Sequence, residues 1–181
     1  MILSDTKILE CLENKTIVIA PFDENNLGSN SYDVHLGNKL GEYIDPVIDA
    51  KLHNKIKLWE ISEDGFVLRP GNLYLGSTLE YTETHNHIPF IDGKSSTGRL
   101  GIDIHATAGK GDAGFCGYWT LEISSTKPVR IYAGMPIGQL IYYVIDGFVK
   151  NPYNKKQNAK YSGQGKDPVE SMMWKNFLPK N

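Results

Sequence analysis

A basic, glycine-bounded segment at residues 93–101 contains the residue types that bind a phosphate. It reads Gly-Lys-Ser-Ser-Thr-Gly-Arg-Leu-Gly, so a lysine, two serine hydroxyls and an arginine lie close together in the chain. Lysine supplies a point charge, arginine a rigid fork of donors and serine a neutral donor, while glycine lets the backbone approach a ligand. The segment therefore predicts a site for a multiply charged phosphate.

A second segment, residues 114–122, reads as an alternating strand that ends in Trp-Thr-Leu-Glu. Glu122 is its acidic residue, among apolar neighbours. A carboxylate in such a place can take a proton from one group and give it to another. Together the two segments predict a phosphorylated substrate and one residue that transfers protons. Taken singly, the first segment also fits an ordinary turn, and Glu122 fits a solvated strand face.

Composition limits the classes of function. The 181 residues suit one domain with a substantial core, at 40% hydrophobic and 22% charged residues. The formal net charge of -2 provides no overall basic field, so nucleic acid is not an expected partner. No apolar run approaches the ~20 residues that span a bilayer, and the N-terminus lacks a basic region before an apolar stretch. We expect a cytoplasmic protein with no membrane partner, and Cys11 and Cys116 as free thiols.

The elements that must position these residues are mostly strands. One short helix is expected near the N-terminus, with Ser4 or Asp5 as its cap, an end near Asn14 and one apolar face: Ile8, Leu9 and Leu12. Strand-like runs cover residues 16–19, 31–36, 66–68, 73–79, 119–123, 129–132 and 137–144. Many short strands between glycine, proline and asparagine turns predict an all-β barrel or sandwich.

The C-terminal part changes in character. Residues 151–166 are polar, and residues 171–177, near the end of the sequence, contain an apolar Met-Met-Trp and Phe177. A polar loop followed by an apolar anchor is typical of a lid held at its far end. The same composition also fits a frayed tail.

In order and spacing, the motifs resemble the dCTP deaminase family, which belongs to the trimeric dUTPase-like superfamily. The resemblance runs nearly end to end, through residues 1–5, 31–37, 93–101, 105–109, 112–115, 120–122, 134–139 and 159–161. It implies a mostly β fold, a distorted barrel or jelly-roll of the dUTPase-like type with a short N-terminal helix. It also implies a single domain over residues 1–181, in which residues 151–181 form a C-terminal lid or tail.

The resemblance implies a role for each site residue. The loop that grips the triphosphate corresponds to Lys94, Ser95, Ser96 and Arg99. The strand that reads the pyrimidine corresponds to Thr120, Leu121 and Glu122, with Glu122 as the catalytic carboxylate, and Asp112 lies near the deoxyribose. The residues that close over the nucleotide from the C-terminal side correspond to Gln139, Tyr153, Lys160 and Gln164. The substrate would be dCTP, with dUTP as a ligand and dTTP as a candidate inhibitor. The active sites would lie between subunits of a homotrimer, with Mg²⁺ carried by the triphosphate.

The residues themselves favour deamination without zinc. Zinc-dependent cytosine deaminases carry H-x-E and P-C-x-x-C motifs, but this chain has no C-x-x-C. Its close histidine pair, His85 and His87, has no cysteine nearby in the sequence, so no metal-ligating residues are predicted. Glu122 would take the proton from water and deliver it to N3 or to the leaving amine. The water would be oriented by Ser95 and the carbonyl around Ala108, while Arg99 would hold Glu122 in place.

Three functions remain open. The first is deamination of dCTP to dUTP and ammonia, which supplies dUTP for dUMP and dTTP synthesis. The second is a bifunctional enzyme that also cleaves the triphosphate and releases dUMP and pyrophosphate. The third is a dUTP diphosphatase or a nucleotide-binding regulator without deaminase activity.

The segment at residues 109–112 favours the first function over the second. It reads Gly-Lys-Gly-Asp, where bifunctional members place an aromatic residue and then Ile or Val before the aspartate. A Gly-Lys-Gly turn is expected to leave the backbone freer and to offer no apolar wall for a second water. We therefore expect dUTP as the main product.

Overall fold

The structure is a computed structural model that describes residues 1–179. The N-terminal helix α1 (Asp5–Glu13) is capped by Ser4, whose hydroxyl accepts the backbone N–H of Lys7. Its C-terminal cap is Asn14. The predicted helix is therefore confirmed, although the residues that it buries most deeply are Ile8 and Cys11.

In residues 1–179, twelve strands follow α1. They are β1 (Ile17–Ala20), β2 (Tyr32–Tyr43), β3 (Ile56–Glu60), β4 (Phe66–Leu68), β5 (Tyr74–Thr78), β6 (Tyr81–Thr84), β7 (His87–Gly93), β8 (Ile102–Asp103), β9 (Phe115–Gly117), β10 (Thr120–Ser125), β11 (Val129–Ile131) and β12 (Pro136–Val144). All seven predicted strands are present, and the strand-like segment at residues 114–122 is divided between β9 and β10, whereas β3, β6, β7 and β8 are not among the predictions.

The strands pair antiparallel and form a nearly closed, distorted barrel. The largest sheet has the order β7-β12-β2-β5-β10-β8, and β3 extends it by pairing with β2. A second sheet has the order β1-β6-β9, and β4 pairs with β11. The mostly β, barrel-like prediction is confirmed.

The core beneath β10 is packed closely. Gly76 on β5 lies directly opposite Leu121 on β10. A Cβ at Gly76 would come within 2.7 Å of the Ile123 Cδ1 atom and 3.1 Å of the Leu36 Cδ1 atom. No side chain fits in that gap, so glycine lets β2, β5 and β10 approach one another and fixes the strand that carries Glu122.

Residues 93–101 contain a second short helix where a loop is expected. Helix α2 (Ser95–Arg99) follows β7, and the N–H of Gly98 donates to the carbonyl of Lys94 at 2.9 Å. The Thr97 hydroxyl is buried and donates to the same carbonyl at 2.8 Å. The other polar side chains of this turn, Ser95, Ser96 and Arg99, are exposed.

The described residues also contain three short 3₁₀ turns, Glu24–Asn26, Tyr153–Lys155 and Met173–Phe177. Residues 180–181 of the expected C-terminal segment lie outside the described residues. In residues 1–179, no helix has the length and apolar character needed to cross a membrane.

Candidate active site

A cavity of about 560 Å³ opens beside β5 and β10, a volume within the range of small-molecule sites. Its apolar lining includes Leu75, Phe115 and Trp119, and the rings of Phe115 and Trp119 stand 4.8 Å apart. Six of the predicted site residues line it: Ala108, Asp112, Thr120, Glu122, Tyr153 and Gln164. The cavity combines an aromatic wall, which suits a base, with convergent polar groups.

Glu122 projects from the middle of β10 into this cavity. Its backbone N–H donates to the carbonyl of Ile104 at 2.9 Å, which fixes β10 against the loop that follows β8. Its Oε2 atom accepts the backbone N–H of Ala106 at 3.0 Å. One carboxylate oxygen is thus held by the protein, while the lining of the cavity leaves room for a ligand beside the other.

Thr120 connects the same strand to the C-terminal segment. Its Oγ1 atom accepts the side-chain N–H of Gln164 and, at 3.1 Å, the backbone N–H of Val169. Gln164 is buried and forms a backbone bridge with Gly117 at the end of β9. Residues 164–169 therefore cross the cavity at the strand that carries Glu122.

Tyrosine hydroxyls hold the rest of this segment. The Tyr43 hydroxyl accepts the N–H of Ser171 at 3.0 Å, and the Tyr161 hydroxyl accepts the N–H of Met172 at 2.9 Å. The Tyr153 hydroxyl in turn accepts the N–H of Tyr161 at 2.9 Å. In the described residues, the C-terminal segment lies across the cavity as a lid would.

An ion pair closes the outer edge of the segment. The Glu170 carboxylate lies 2.5 Å from His53 Nε2. Burial alone would raise the pKa of Glu170, but the hydrogen bond and charge of His53 outweigh it and hold that pKa below its ordinary value. Lys39 and Asp167 make a second pair at 3.0 Å.

Asp112 lies between two lysines at the cavity. Its carboxylate is 3.0 Å from Lys110 Nζ and 3.5 Å from Lys156 Nζ. Partial burial would raise the pKa of Asp112, but the two ammonium groups outweigh it and lower that pKa. Asp112 is therefore an ionised acceptor at neutral pH, suited to a sugar hydroxyl.

Residues 109–112 are more constrained than the sequence suggests. The Gly109 carbonyl accepts the N–H of Ile91 at 2.7 Å, and the Gly111 N–H donates to the carbonyl of Pro89 at 2.8 Å. A Cβ on Gly111 would lie 2.6 Å from the Trp119 Cη2 atom, so the indole occupies that space. The expectation of a free turn without an apolar wall was wrong, because β7 holds the backbone and Trp119 supplies the wall.

A second group of predicted residues lies away from the cavity. None of the following lines it: Lys94, Ser95, Ser96, Arg99 and Gln139. Lys94 Nζ donates to the carboxylate of Asp33 on β2, whose register partner on β12 is Gln139. Gln139 therefore lies beside the helix α2 group, and not with the C-terminal segment where it was expected.

Two further residues differ from expectation, and the predicted contact of Arg99 stays a prediction. Within residues 1–179 of one chain, Arg99 makes no ion pair with Glu122, and the expected contact is one between subunits. The Leu121 side chain is buried in the core on the opposite face of β10. Lys160 Nζ donates to Asn176 Oδ1 at 2.7 Å and does not line the cavity.

The sequence also misses groups that are distant along the chain. Four such groups shape the cavity: Tyr43, Phe115, Trp119 and the Ala106 amide. In the sequence, the aromatic residue type of the first three is the one signal that could indicate a binding role. His85 does have a cysteine nearby in space, because β6 pairs with β9 and brings Cys116 alongside. That group, completed by Glu83, shares no residue with the cavity that holds Glu122.

Comparison with known proteins identifies the family of the chain. The model of the dCTP deaminase-like family matches residues 2–145. A protein of Clostridium acetobutylicum named "dCTP deaminase, dUMP-forming" is 48% identical over 179 residues, covering 98% of this chain and 99% of the relative. A protein of the same name from Cytophaga hutchinsonii is 44% identical over 177 residues, with the same coverage.

The fold is similar to the crystal structure of 2'-deoxycytidine 5'-triphosphate deaminase from Agrobacterium tumefaciens. The TM-score is 0.64 at 24% identity, and the match covers 82% of this chain and 49% of that one. The chain thus spans about half the length of that structure. From the family match and the two relatives, the chain belongs to the dCTP deaminase-like family.

Proposed function

We propose that this protein deaminates dCTP, with Glu122 as the general acid and base. The observation that carries the proposal is the position of Glu122, held by the Ala106 amide in a cavity with an aromatic wall. Water attacks C4 of the cytosine while Glu122 takes one of its protons. Glu122 then returns that proton to the ring at N3. The second proton of the water goes to the amine, which leaves as ammonia.

We further propose that the reaction continues to dUMP and pyrophosphate. In sum, dCTP and two water molecules give dUMP, pyrophosphate and ammonia. Two observations support this product over dUTP: the similar proteins are named dUMP-forming, and Trp119 supplies the apolar wall beside a pinned backbone at residues 109–112. A second water must be held in line with the α-phosphorus, and a rigid wall favours such positioning.

Each complete site is proposed to combine residues from two subunits of a homotrimer. The proposal is supported by the separation of the predicted site residues into two groups within one chain. The base-binding and proton-transfer groups surround the cavity, whereas the cationic group around Arg99 lies exposed and outside it. A neighbouring subunit would bring Lys94, Ser95, Ser96 and Arg99 to the triphosphate and place Arg99 beside Glu122. Helix α2 would then serve a site in the next chain.

The proposed chemistry needs no transition metal. The supporting observation is that, in residues 1–179, the one group of three His, Cys, Asp or Glu side chains close enough to hold an ion lies outside this cavity. Magnesium would arrive with the triphosphate and neutralise part of its charge. The chain would supply Lys94 and Arg99 to the same phosphates.

Product analysis tests the proposal. The protein is incubated with dCTP and Mg²⁺, and ammonia, dUTP, dUMP and pyrophosphate are measured over time. We expect ammonia, dUMP and pyrophosphate to appear in equal amounts. Ammonia with dUTP but without pyrophosphate would contradict the second step and leave the first intact. A parallel incubation with dUTP completes the test. Release of pyrophosphate from dUTP, together with no release of ammonia from dCTP, would contradict deamination itself.

A further inference from the structure

Strand β6 presents a row of polar side chains on its outer face. Thr82 and Thr84 are buried, so the alternate residues Tyr81, Glu83 and His85 lie on the less buried side. Cys116 on β9 is the register partner of Glu83, which places the thiol beside the carboxylate on the same face. Non-local pairing thus gathers a carboxylate, an imidazole and a thiol.

The three donor groups are already close to one another. His85 Nε2 lies 3.0 Å from Glu83 Oε2, and the ligand atoms of Glu83, His85 and Cys116 all lie within 4.8 Å of one another. All three side chains are partly buried, so they are reachable yet not freely mobile. A tetrahedral ion with bonds of about 2.0–2.3 Å would need only small side-chain movements to contact all three.

We propose that Glu83, His85 and Cys116 bind a Zn²⁺-type divalent cation, with a fourth position open to water. A thiolate and an imidazole select borderline or soft metals, whereas Mg²⁺ and Ca²⁺ require oxygen ligands. This site is separate from the cavity of Glu122 and takes no part in the proposed proton transfers.

The surroundings hold the ligands in place. The Tyr81 hydroxyl donates to Glu83 Oε1 at 2.8 Å, which orients the carboxylate and leaves Oε2 for the ion. Beside the ligands, the Gly114 N–H donates to the Thr84 carbonyl at 2.6 Å, so β6 and β9 are joined next to the group. The ligand set therefore stands on a fixed backbone.

The site also has a structural consequence for the cavity. Phe115, the neighbour of Cys116, packs on Trp119 in the cavity wall. The Cys116 carbonyl accepts the N–H of Gly163, where the C-terminal segment docks. A bound ion would link β6 to the strand on which both the wall and the lid rest. Occupancy should therefore stabilise the fold.

Cobalt binding tests the proposal, because a thiolate bound to Co²⁺ gives a near-ultraviolet charge-transfer band. We titrate the metal-free protein with Co²⁺ and expect one ion per chain, displaced by Zn²⁺ but not by Mg²⁺. In Cys116→Ser the band should vanish. Tyr81→Phe should keep the band but weaken binding by roughly tenfold or more, as loss of an outer partner does. Cys11→Ala, which removes the buried second thiol, should bind like the wild type.

A band that is absent from the wild type, or that persists in Cys116→Ser, would overturn the proposal. Should Cys116→Ser unfold, His85→Gln provides the same test, because loss of the imidazole must also weaken binding. Zinc should raise the Tm of the wild type and not that of these variants. Ammonia release from dCTP should persist in the metal-free protein, so failure at this site is distinguishable from failure of the proposed function.

Discussion

The Thr120 hydroxyl accepts a hydrogen bond from the side-chain amide of Gln164, which ties the C-terminal segment directly to the strand that carries Glu122. Thr120 and Glu122 point the same way from β10, two residues apart. Strand β10 therefore both anchors the C-terminal segment, through Thr120, and positions Glu122. A lid that seats on this strand would also cover the cavity in which the proposed proton transfer takes place.

Thr120→Val should loosen the lid while keeping the shape of the side chain. Two acceptor contacts disappear, to Gln164 and Val169, and each is worth about 1 kcal/mol. We expect kcat/KM for dCTP to fall by roughly tenfold or more. Thr126→Val, at an exposed threonine just beyond the same strand, is the control. Unchanged kinetics in Thr120→Val would mean that the lid does not depend on this hydroxyl.

The pair of His53 and Glu170 should make the lid sensitive to acid. The pKa of Glu170 lies below its ordinary value of 4.5, so its stabilising effect is present above that value and is lost as the pH falls through the lowered pKa. Glu170→Gln should therefore lower the Tm near neutrality, and the difference should disappear as the pH falls below 4.5 and through the lowered pKa. Because the pair is partly exposed, the effect should be no more than about 1 kcal/mol.

Differential scanning calorimetry of both proteins across this pH range measures the difference. Glu24→Gln, at an exposed glutamate near the N-terminal part of the chain, is the control and should track the wild type. A Tm difference between the wild type and Glu170→Gln that grows toward low pH would have the wrong sign. It would contradict a stabilising contact between His53 and the ionised Glu170.

Gly111→Ala should destabilise the wall of the cavity. The new Cβ would lie 2.6 Å from the Trp119 ring and 2.9 Å from Pro89, so the indole or the backbone must shift. Overpacking of this kind costs about 1–3 kcal/mol. Gly165→Ala, where no atom lies within 4 Å of the new Cβ, should change stability far less. Chemical denaturation measures both, and equal stabilities would show that Trp119 does not need this gap.

The sharing of sites between subunits can be tested by complementation. Glu122→Gln and Arg99→Ala should each be inactive alone. After subunit exchange, some mixed trimers would combine an intact Glu122 from one chain with an intact Arg99 from another. We therefore expect partial recovery of ammonia release. No recovery after proven exchange, or a monomer by light scattering, would argue for a site built within one chain.

Much of the fold can be predicted from local patterns, and the exceptions have physical reasons. Some predicted strands carry alternating apolar residues, as in residues 31–36, and others are largely apolar runs bounded by turn residues, as in residues 137–144. Strand β6 is not predicted from such a pattern, because its buried residues are the polar Thr82 and Thr84. The Thr82 hydroxyl accepts the Trp119 indole N–H at 3.0 Å, which makes a polar side chain suitable for the interior.

The candidate site is also only partly predictable from local sequence patterns. The residues that line the cavity follow from motif order, yet their grouping depends on contacts that are remote in the chain. Cys116 meets His85 only through the register of β6 and β9. Likewise, Arg99 lies outside the cavity although its motif resembles a part of the same site. No local pattern specifies which elements a second chain supplies.

The most direct test of the account is ammonia release from dCTP by Glu122→Gln. The glutamine keeps the shape of the side chain and its contact with the Ala106 amide but cannot accept a proton. We expect turnover to fall by ~10²–10⁴ while dCTP still binds, measured by calorimetry on the same preparation. A variant that binds dCTP and retains more than about a tenth of the wild-type rate would contradict the role of Glu122, since loss of a general base costs far more than that.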